Sequence, residues 1–394
     1  MALREEEREV PLSEALLVRQ RSPEQDQEMP EKTEQRTYPL NQIYFYLTEG
    51  CNLRCRHCWL APKYQTKDHA YPCLDPELFQ SIIEQAKPLG LTGVKLTGGE
   101  PLMQPNIKEI LDFIRTEDLR LIVETNGILC THELAQKMFT CEDPFVSVSL
   151  DGVDAETHEW IRGVKGCFEA ALEGVRNLVK AGFRPQIIMT LMRRNKDQME
   201  AMVSLAEDLG AGSVKFNIVQ PTARGEIMHQ AGETLTIEEL VNLGQWVETT
   251  LSASTSMRLY YDHPLAFRPL EKIFADNENG CGICGILGIL GILADGSYAL
   301  CGIGETVPEL IFGHAATDRL DDIWNNTSII QELREGIPQR LEGICGDCLM
   351  KGICLGSCIA QNYYSGKNLW APFWYCEQAL NRGLFPGTRM RTKG

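Results

Sequence analysis

The sequence predicts an α/β fold: a parallel sheet wrapped by helices, closed partly or fully into a barrel, with a smaller cysteine-rich domain behind it. Two observations carry this. From residue 42 onward, strand-like and helix-like stretches alternate. After about residue 265 the helical periodicity fades, and Gly and Cys become frequent. The expected boundaries are a polar tail over 1–40, the barrel over 41–265 and the second domain over 266–394.

The expected strands are the apolar runs Ile43–Leu47, Val94–Leu96, Leu121–Val123, Phe145–Leu150, Gln186–Leu191 and Val214–Val219. One helix opens at Asp75-Pro76, with Asp as N-cap and Pro at the first helical position. Another opens at Thr236, and Glu239 completes a capping-box spacing. In a parallel barrel, catalytic groups belong at the C-terminal ends of the strands. The first forty residues are rich in Glu, Gln and Arg and carry Pro11, Pro23, Pro30 and Pro39, which reads as a disordered tail. Its one apolar turn, Leu16 to Val18, is suited to docking. In the second domain Gly285–Leu293 reads GILGILGIL, and Asp295-Gly296 marks a two-residue hairpin turn.

With 394 residues, 43% of them hydrophobic, the chain can bury one large core and a smaller one. The net charge of −16 argues against a nucleic-acid partner and reads as solubility. No apolar run is long enough to span a bilayer, and Met1–Gln20 is acidic where a signal peptide needs a basic start. The expected location is therefore the cytoplasm. Fifteen cysteines in a reducing compartment point to metal ligation or catalysis rather than disulfides.

The first strand runs into Cys51-Asn-Leu-Arg-Cys55-Arg-His-Cys58. Three thiolates in one loop can hold three irons of a 4Fe–4S cube. The fourth iron then keeps an open position, as a catalytic zinc does. Structural zinc is the competing reading. It needs a fourth ligand, and His57, adjacent to Cys58, cannot easily reach the same metal.

In the setting TEGCNLRCRHCW, Cys51, Cys55 and Cys58 resemble the signature of the radical S-adenosylmethionine superfamily. The resemblance implies a partial (β/α)6 TIM-like barrel and a cluster whose open iron chelates S-adenosylmethionine. It implies an enzyme that cleaves S-adenosylmethionine reductively, generating a 5′-deoxyadenosyl radical that abstracts a hydrogen atom from the substrate. An electron donor such as flavodoxin or ferredoxin would feed it. Later motifs agree. Gly98-Gly99-Glu100-Pro101 resembles the family's GGEP loop, which contacts the ligand's amino group. By the same resemblance Ser149 and Arg162 bind the methionine carboxylate, and Asn126 lies near the ribose. Leu191, with Met189 and Thr190, offers backbone to the adenine.

Beyond residue 280 stand Cys281, Cys284, Cys301, Cys345, Cys348, Cys354, Cys358 and Cys376. Eight thiolates suit two clusters of four ligands, while the Cys-x2-Cys pairs would also suit zinc ribbons. Nearby glycines, Gly282, Gly285, Gly302 and Gly346, let backbone N–H groups approach the sulfurs. The pattern resembles the SPASM domain of radical enzymes that mature peptides and proteins. That resemblance implies two interleaved auxiliary 4Fe–4S clusters, one on Cys281, Cys284, Cys301 and Cys358, the other on Cys345, Cys348, Cys354 and Cys376. Cys73, Cys130, Cys141 and Cys167 read first as small apolar residues.

The combination resembles maturases of ribosomally synthesised peptides, sulfatase-maturating enzymes and haem-pathway decarboxylases. The stretch Tyr44–Leu60 resembles maturases of Nif11-type peptides, which include tyramine-excising spliceases. The expected substrate is thus a precursor peptide, with a tetrapyrrole side chain as the alternative. A ferredoxin-like electron carrier is the non-enzyme alternative, against which the Cys51–Cys58 loop and the GGEP loop argue. Forty residues are too few for a winged-helix leader-binding module, so a separate leader-recognition protein is expected. Tyr261 and Asp262, with Tyr260 and His263, are candidates for a proton acceptor or radical quencher at the barrel mouth, against the competing reading of an ordinary surface or core role for each.

Overall fold

The computed structural model describes residues 38–66, 69–275 and 284–391. The expected tail, except Tyr38 to Leu40, and its Leu16–Val18 turn lie outside the described residues, as does Cys281. The six expected strands are all present. They are β1 (Gln42–Tyr46), β2 (Gly93–Thr97), β3 (Arg120–Thr125), β4 (Glu142–Ser149), β5 (Gln186–Leu191) and β6 (Ser213–Ile218). Four more join them: β7 (Arg258–Tyr261), β8 (Ile289–Ile292), β9 (Ser297–Ala299) and β10 (Ile311–His314). The order across the sheet is β10-β9-β8-β1-β2-β3-β4-β5-β6-β7. Strands β1 to β7 pair in parallel, and β8 also lies parallel to β1. The sheet does not close, because β10 and β7 are its two edges. The result is a partial barrel.

Helices fill the crossovers. Helix α1 (Pro76–Ala86) starts as expected, Asp75 accepting from the Glu77 and Leu78 amides. It buries Phe79, Ile82, Ile83 and Ala86 against the sheet, with the Phe79 ring 4.4 Å from Phe45. Each such side chain contributes roughly 1.5–3 kcal/mol. Helices α2 (Ile107–Thr116), α3 (His132–Phe139), α4 (Ala155–Arg162), α5 (Cys167–Lys180) and α6 (Met199–Asp208) follow. Next come α7 (Ala223–Gln230) and α8 (Ile237–Trp246), the latter with the Thr236–Glu239 capping box formed.

The sheet does not stop at residue 265. The repeat GILGILGIL supplies β8, which extends the barrel sheet on the far side of β1. Asp295-Gly296 makes the expected turn into antiparallel β9. Gly296 has φ +95°, and Asp295 accepts from the Ser297 amide at 2.8 Å. Short helices carry the remaining cysteines. No helix among the described residues is long and apolar enough to cross a membrane.

Candidate active site and cluster ligands

The Cys51–Cys58 loop leaves β1 at its C-terminal end and is fastened on two sides. The end of α4 offers carbonyls that have no partner within the helix. Arg162 O accepts from the Arg54 amide and Ile161 O from the Arg56 amide, each at 3.0 Å. The GGEP loop holds the other side. The Gly99 amide donates to Thr48 O at 3.0 Å, and the Glu100 amide to Gly50 O at 3.1 Å. A Cβ on Gly99 would stand 2.0 Å from Gly50 O, and Gly98 has φ +121°. Both positions therefore require glycine. Glu100 is buried and accepts from Thr125 Oγ1 at 2.6 Å, the Asn126 amide at 2.8 Å and the Leu102 amide at 3.1 Å. It thereby ties the second motif to the third.

Arg162 is nearly buried. Its Nε is 2.7 Å from Asp151 Oδ2, an ion pair without good hydrogen-bond alignment, and its Nη1 donates to Cys55 Sγ at 3.6 Å. Burial pushes the Asp151 carboxyl up, but Arg162 and His57 outweigh it and the net direction is down. Asp151 Oδ1 also accepts from the Thr190 amide at 2.8 Å. His57 Nε2 lies 3.6 Å from Asp151 Oδ2, and burial depresses the imidazole to about 4. Asn126 donates to Asn52 Oδ1 at 2.7 Å.

Two cavities open above these residues. The smaller, about 140 Å³, is walled by Cys51, Cys55, Cys58, Gly98, Gly99, Glu100, Asn126, Ser149, Arg162 and Arg224, among others. The larger, about 330 Å³, reaches from Cys55 and Cys58 to Cys301 and Cys358, past Ser149, Thr190, Asn217, Gln220, Thr222 and Gln361. Glu124 stands in both walls. Pro101 and Leu191 are in neither wall; both are buried, and Ile188 and Thr190 represent β5 in the larger cavity. Tyr261 is not brought to the cavities. Its hydroxyl donates to Leu240 O at 2.8 Å within the core. Asp262 faces Lys215 at 3.8 Å, and His263 faces Glu248 at 3.2 Å.

The described cysteines are all free, and their grouping follows the electrostatics. Burial pushes the Cys51 thiol up, and Cys55, Glu100 and Cys58 add to it. Burial likewise raises Cys284, helped by Cys358 and Cys301. Cys376 is raised by burial, then by Cys345, Cys354 and Cys348. Three separate thiol groups result: Cys51/Cys55/Cys58, Cys284/Cys301/Cys358 and Cys345/Cys348/Cys354/Cys376. The last lines a space with Ala266, Ile344 and Phe385. Backbone amides point at the sulfurs: Leu53 to Cys51 at 3.4 Å, Met350 to Cys348 at 3.3 Å and Phe373 to Cys345 at 3.4 Å. Five of these ten thiols are buried and five half-buried, none is in a disulfide, and three meet N–H donors, a chemistry that suits iron–sulfur clusters, whose sulfurs are tuned by such bonds; among the described residues no three His, Cys, Asp or Glu side chains already close on a single metal position. Cys130, Cys141 and Cys167 are buried, Cys167 packing with Leu53 beneath the loop, while Cys73 bridges to Thr48.

Sequence reasoning missed Arg224 and the Lys95–Glu124 pair. Arg224 Nη2 donates to Pro62 O at 2.6 Å and Nη1 to Cys55 O at 3.3 Å. Its one signal was Pro221-Thr222 at the turn after β6, an N-cap pattern. Lys95 Nζ sits 2.6 Å from Glu124 and 4.6 Å from the Tyr44 ring centroid, inside a strand that its neighbours make look wholly apolar.

Comparison with known proteins agrees with this geometry. Residues 45–206 match the radical SAM superfamily model, and residues 281–349 match the SPASM iron–sulfur cluster-binding domain. An AdoMet-dependent heme synthase of Methanosarcina barkeri is 30% identical, over 82% of this chain and 91% of its own. The mycofactocin maturase MftC of Mycobacterium tuberculosis is 28% identical, over 84% and 81%. Among solved structures, Streptococcus suis SuiB bound to its precursor peptide SuiA gives a TM-score of 0.65 at 16% identity, covering 86% of this chain and 76% of that one. A native anSMEcpe with bound AdoMet gives 0.65 at 17%, covering 87% and 98%.

The chain belongs to the radical SAM superfamily, among the members that carry a SPASM domain. It is therefore an S-adenosylmethionine-cleaving enzyme. Its cofactors are the 4Fe–4S cluster and S-adenosylmethionine of that family, with auxiliary iron–sulfur clusters in the SPASM domain.

Proposed function

We propose that this enzyme matures a ribosomally synthesised precursor peptide, and that the peptide lies in the cavity between the Cys55–Cys58 turn and Cys301/Cys358. The observation that carries this is the character of the wall. Asn217 Oδ1, Gln220 Oε1 and Thr222 Oγ1 are buried there without a hydrogen-bond partner among the described residues. Buried polar atoms are costly unless paired, so a ligand rich in N–H donors is the natural complement. Peptide amides supply such donors.

In this reading Cys51, Cys55 and Cys58 hold the first cluster. Gly98, Gly99 and Glu100 face the amino group of S-adenosylmethionine, Ser149 and Arg162 its carboxylate, and Asn126 its ribose. Asp151 fixes the Arg162 guanidinium, and Arg224 fixes the loop carbonyls. When bound, these cofactors supply a carbon-centred radical that takes a hydrogen atom from the substrate. The auxiliary ligands are Cys284, Cys301 and Cys358 with Cys281, and Cys345, Cys348, Cys354 and Cys376. Electrons come from a flavodoxin or ferredoxin. MftC is named a maturase, and SuiB was solved with a precursor peptide, which supports the substrate class. The specific outcome we assign is backbone excision at a Tyr residue, on the Tyr44–Leu60 resemblance.

A tetrapyrrole substrate is the second reading, favoured by the 30% identity to a heme synthase. Tetrapyrrole side chains are carboxylates and call for cations. Among the described residues of the larger cavity the one cation is Arg162, already paired with Asp151.

The test is accurate mass of a precursor peptide encoded beside the gene, after anaerobic co-expression. Loss of a tyramine unit, abolished by Cys55→Ala, is the expected result. Loss of two hydrogens would replace excision by cross-linking. Unchanged mass, with no deuterium uptake in heavy water, would refute peptide maturation and leave the tetrapyrrole.

A further inference from the structure

Helix α7 is short and poorly anchored by packing. It buries only Gly225 and Met228, and Ile227 is 65% exposed. Met228 and a His229 Nε2 contact to Val219 O at 3.0 Å tie it to the barrel, and further polar contacts run outward in two directions. Toward the first cluster loop, the Arg224 amide donates to Cys58 O at 3.3 Å, while its guanidinium donates to Cys55 O and Pro62 O. Toward the cysteine-rich part, the Ala223 amide donates to Tyr364 Oη at 3.3 Å, and Tyr364 Oη donates to Glu226 at 2.9 Å. Tyr364 lies on the helix Ile359–Gly366, whose N-cap is Cys358.

The far end of α7 repeats the pattern. The His229 ring stands edge-on to Trp374 at 5.9 Å. Trp374 Nε1 donates to Gln361 Oε1 at 3.0 Å, on the Cys358-capped helix. Trp374 itself opens the helix Trp374–Asn381, which carries Cys376. One eight-residue helix thus touches the turn that bears Cys55 and Cys58 and the two helices that bear Cys358 and Cys376. Ala223, at the joint, has φ +48°. An alanine keeps such a backbone only where its surroundings over-determine it. Here the Arg224 and Tyr364 bonds do so from both sides.

We propose that α7 is a strut that sets the position of the Cys55–Cys58 turn from the auxiliary-cluster helices, with Tyr364 as its pivot. Tyr364 is a positioning residue: it acts on the loop through Ala223 and Arg224. The consequence is that order in the turn bearing the S-adenosylmethionine-binding cluster's thiols depends on a seated 359–366 helix. Loss of the pivot leaves the thiols in place but lets the turn wander.

The test uses the full chain, anaerobically reconstituted, as wild type, Tyr364→Phe and Glu226→Ala. Two readouts are taken: amide hydrogen exchange over residues 52–62, and the change in the reduced protein's electron paramagnetic resonance spectrum on adding S-adenosylmethionine. Tyr364→Phe removes both bonds of the pivot. It should speed exchange in 52–62 on the order of tenfold and weaken the spectral change, with iron content unaltered. Glu226→Ala, which leaves the Ala223–Tyr364 bond, should speed exchange by roughly threefold. If Tyr364→Phe loses iron from every cluster, Glu226→Ala decides alone. Exchange in 52–62 within twofold of wild type in the deciding variant, with an undiminished spectral response, overturns the proposal, even if residues 223–226 themselves loosen.

Discussion

Replacing Asp151 by Asn is the sharpest perturbation of the active site. The change is nearly isosteric, and an amide oxygen can still accept from the Thr190 amide. What disappears is the charge opposite Arg162 at 2.7 Å. At an effective dielectric of about 20, that attraction is on the order of 6 kcal/mol. Desolvation offsets part of it, and breaking a buried pair typically costs about 3–5 kcal/mol, because one charge is left buried alone. Unfolding entropy of about 2 cal/mol/K per residue converts this to a drop in Tm of roughly 4–6 °C for a chain of this length. The assay is anaerobic thermal unfolding of reconstituted protein at fixed scan rate. A double variant, Asp151→Asn with Arg162→Gln, should recover part of the loss, since it removes the orphaned charge. A Tm for Asp151→Asn within about 1 °C of wild type, or a double variant as unstable as the sum of the singles, refutes the reasoning. The variant should also bind S-adenosylmethionine more weakly, because the guanidinium loses what orients it.

Gly99→Ala should disrupt the first cluster selectively, since its Cβ meets the Gly50 carbonyl at 2.0 Å; iron analysis should show about four fewer irons per chain and no spectral response to S-adenosylmethionine. The thiol grouping predicts a non-additive pattern. Cys301→Ala and Cys358→Ala should each lose one cluster, the double variant no more than either, whereas Cys358→Ala with Cys345→Ala should lose two clusters, as iron and sulfide analysis would report. Glu248 predicts an acid-side effect. Burial works to raise its carboxyl, but hydrogen bonds from His263 and Lys272 hold it down at about 2. Its stabilisation is thus complete above the unfolded value near 4.5 and is lost as pH falls from there toward 2. His263, lowered chiefly by burial, acts in the same direction, since the unfolded imidazole takes its proton first on acidification. Wild type should therefore exceed Glu248→Gln by about 1–2 kcal/mol at pH 7, a gap that closes below pH 4 in urea titrations.

How much of this was legible in the sequence depended on whether the signal was local. The cluster loop, the glycines of the GGEP turn, the Asp75 cap and the Asp295-Gly296 turn all announce themselves within a few residues, because each is a backbone requirement. Strands β1 to β6 were visible as apolar runs. Strands β7 and β10 were not, since RLYY and IFGH are too short and too half-exposed to stand out. Partners distant in sequence stayed hidden. Nothing near Arg162 indicates that Asp151 would take its Nε edge. Nor could the run VKL show that Lys95 is a barrel-interior cation paired across strands with Glu124. Tyr261 shows the same limit: its sequence position left a core role and a role at the barrel mouth both open, and the fold turns it beneath α8, where its hydroxyl meets Leu240.

The separation of the later cysteines into two groups has its cause in the sheet. Strand β9 returns antiparallel along β8, so the chain brings Cys301 back beside Gly291, where it shares the larger cavity's wall with Cys55 and Cys58. Gly302 packs so tightly there that a Cβ would lie 2.3 Å from the Tyr46 ring. Cys301 is thereby fixed before the later helices arrive. Of the five cysteines that follow, Cys358 alone stands in the wall of this cavity with Cys301, while Cys345, Cys348, Cys354 and Cys376 share another space. The arrangement places Cys301 and Cys358 in the wall of the larger cavity and gives the other four thiols a separate space beside Pro264, Ala266 and Phe385.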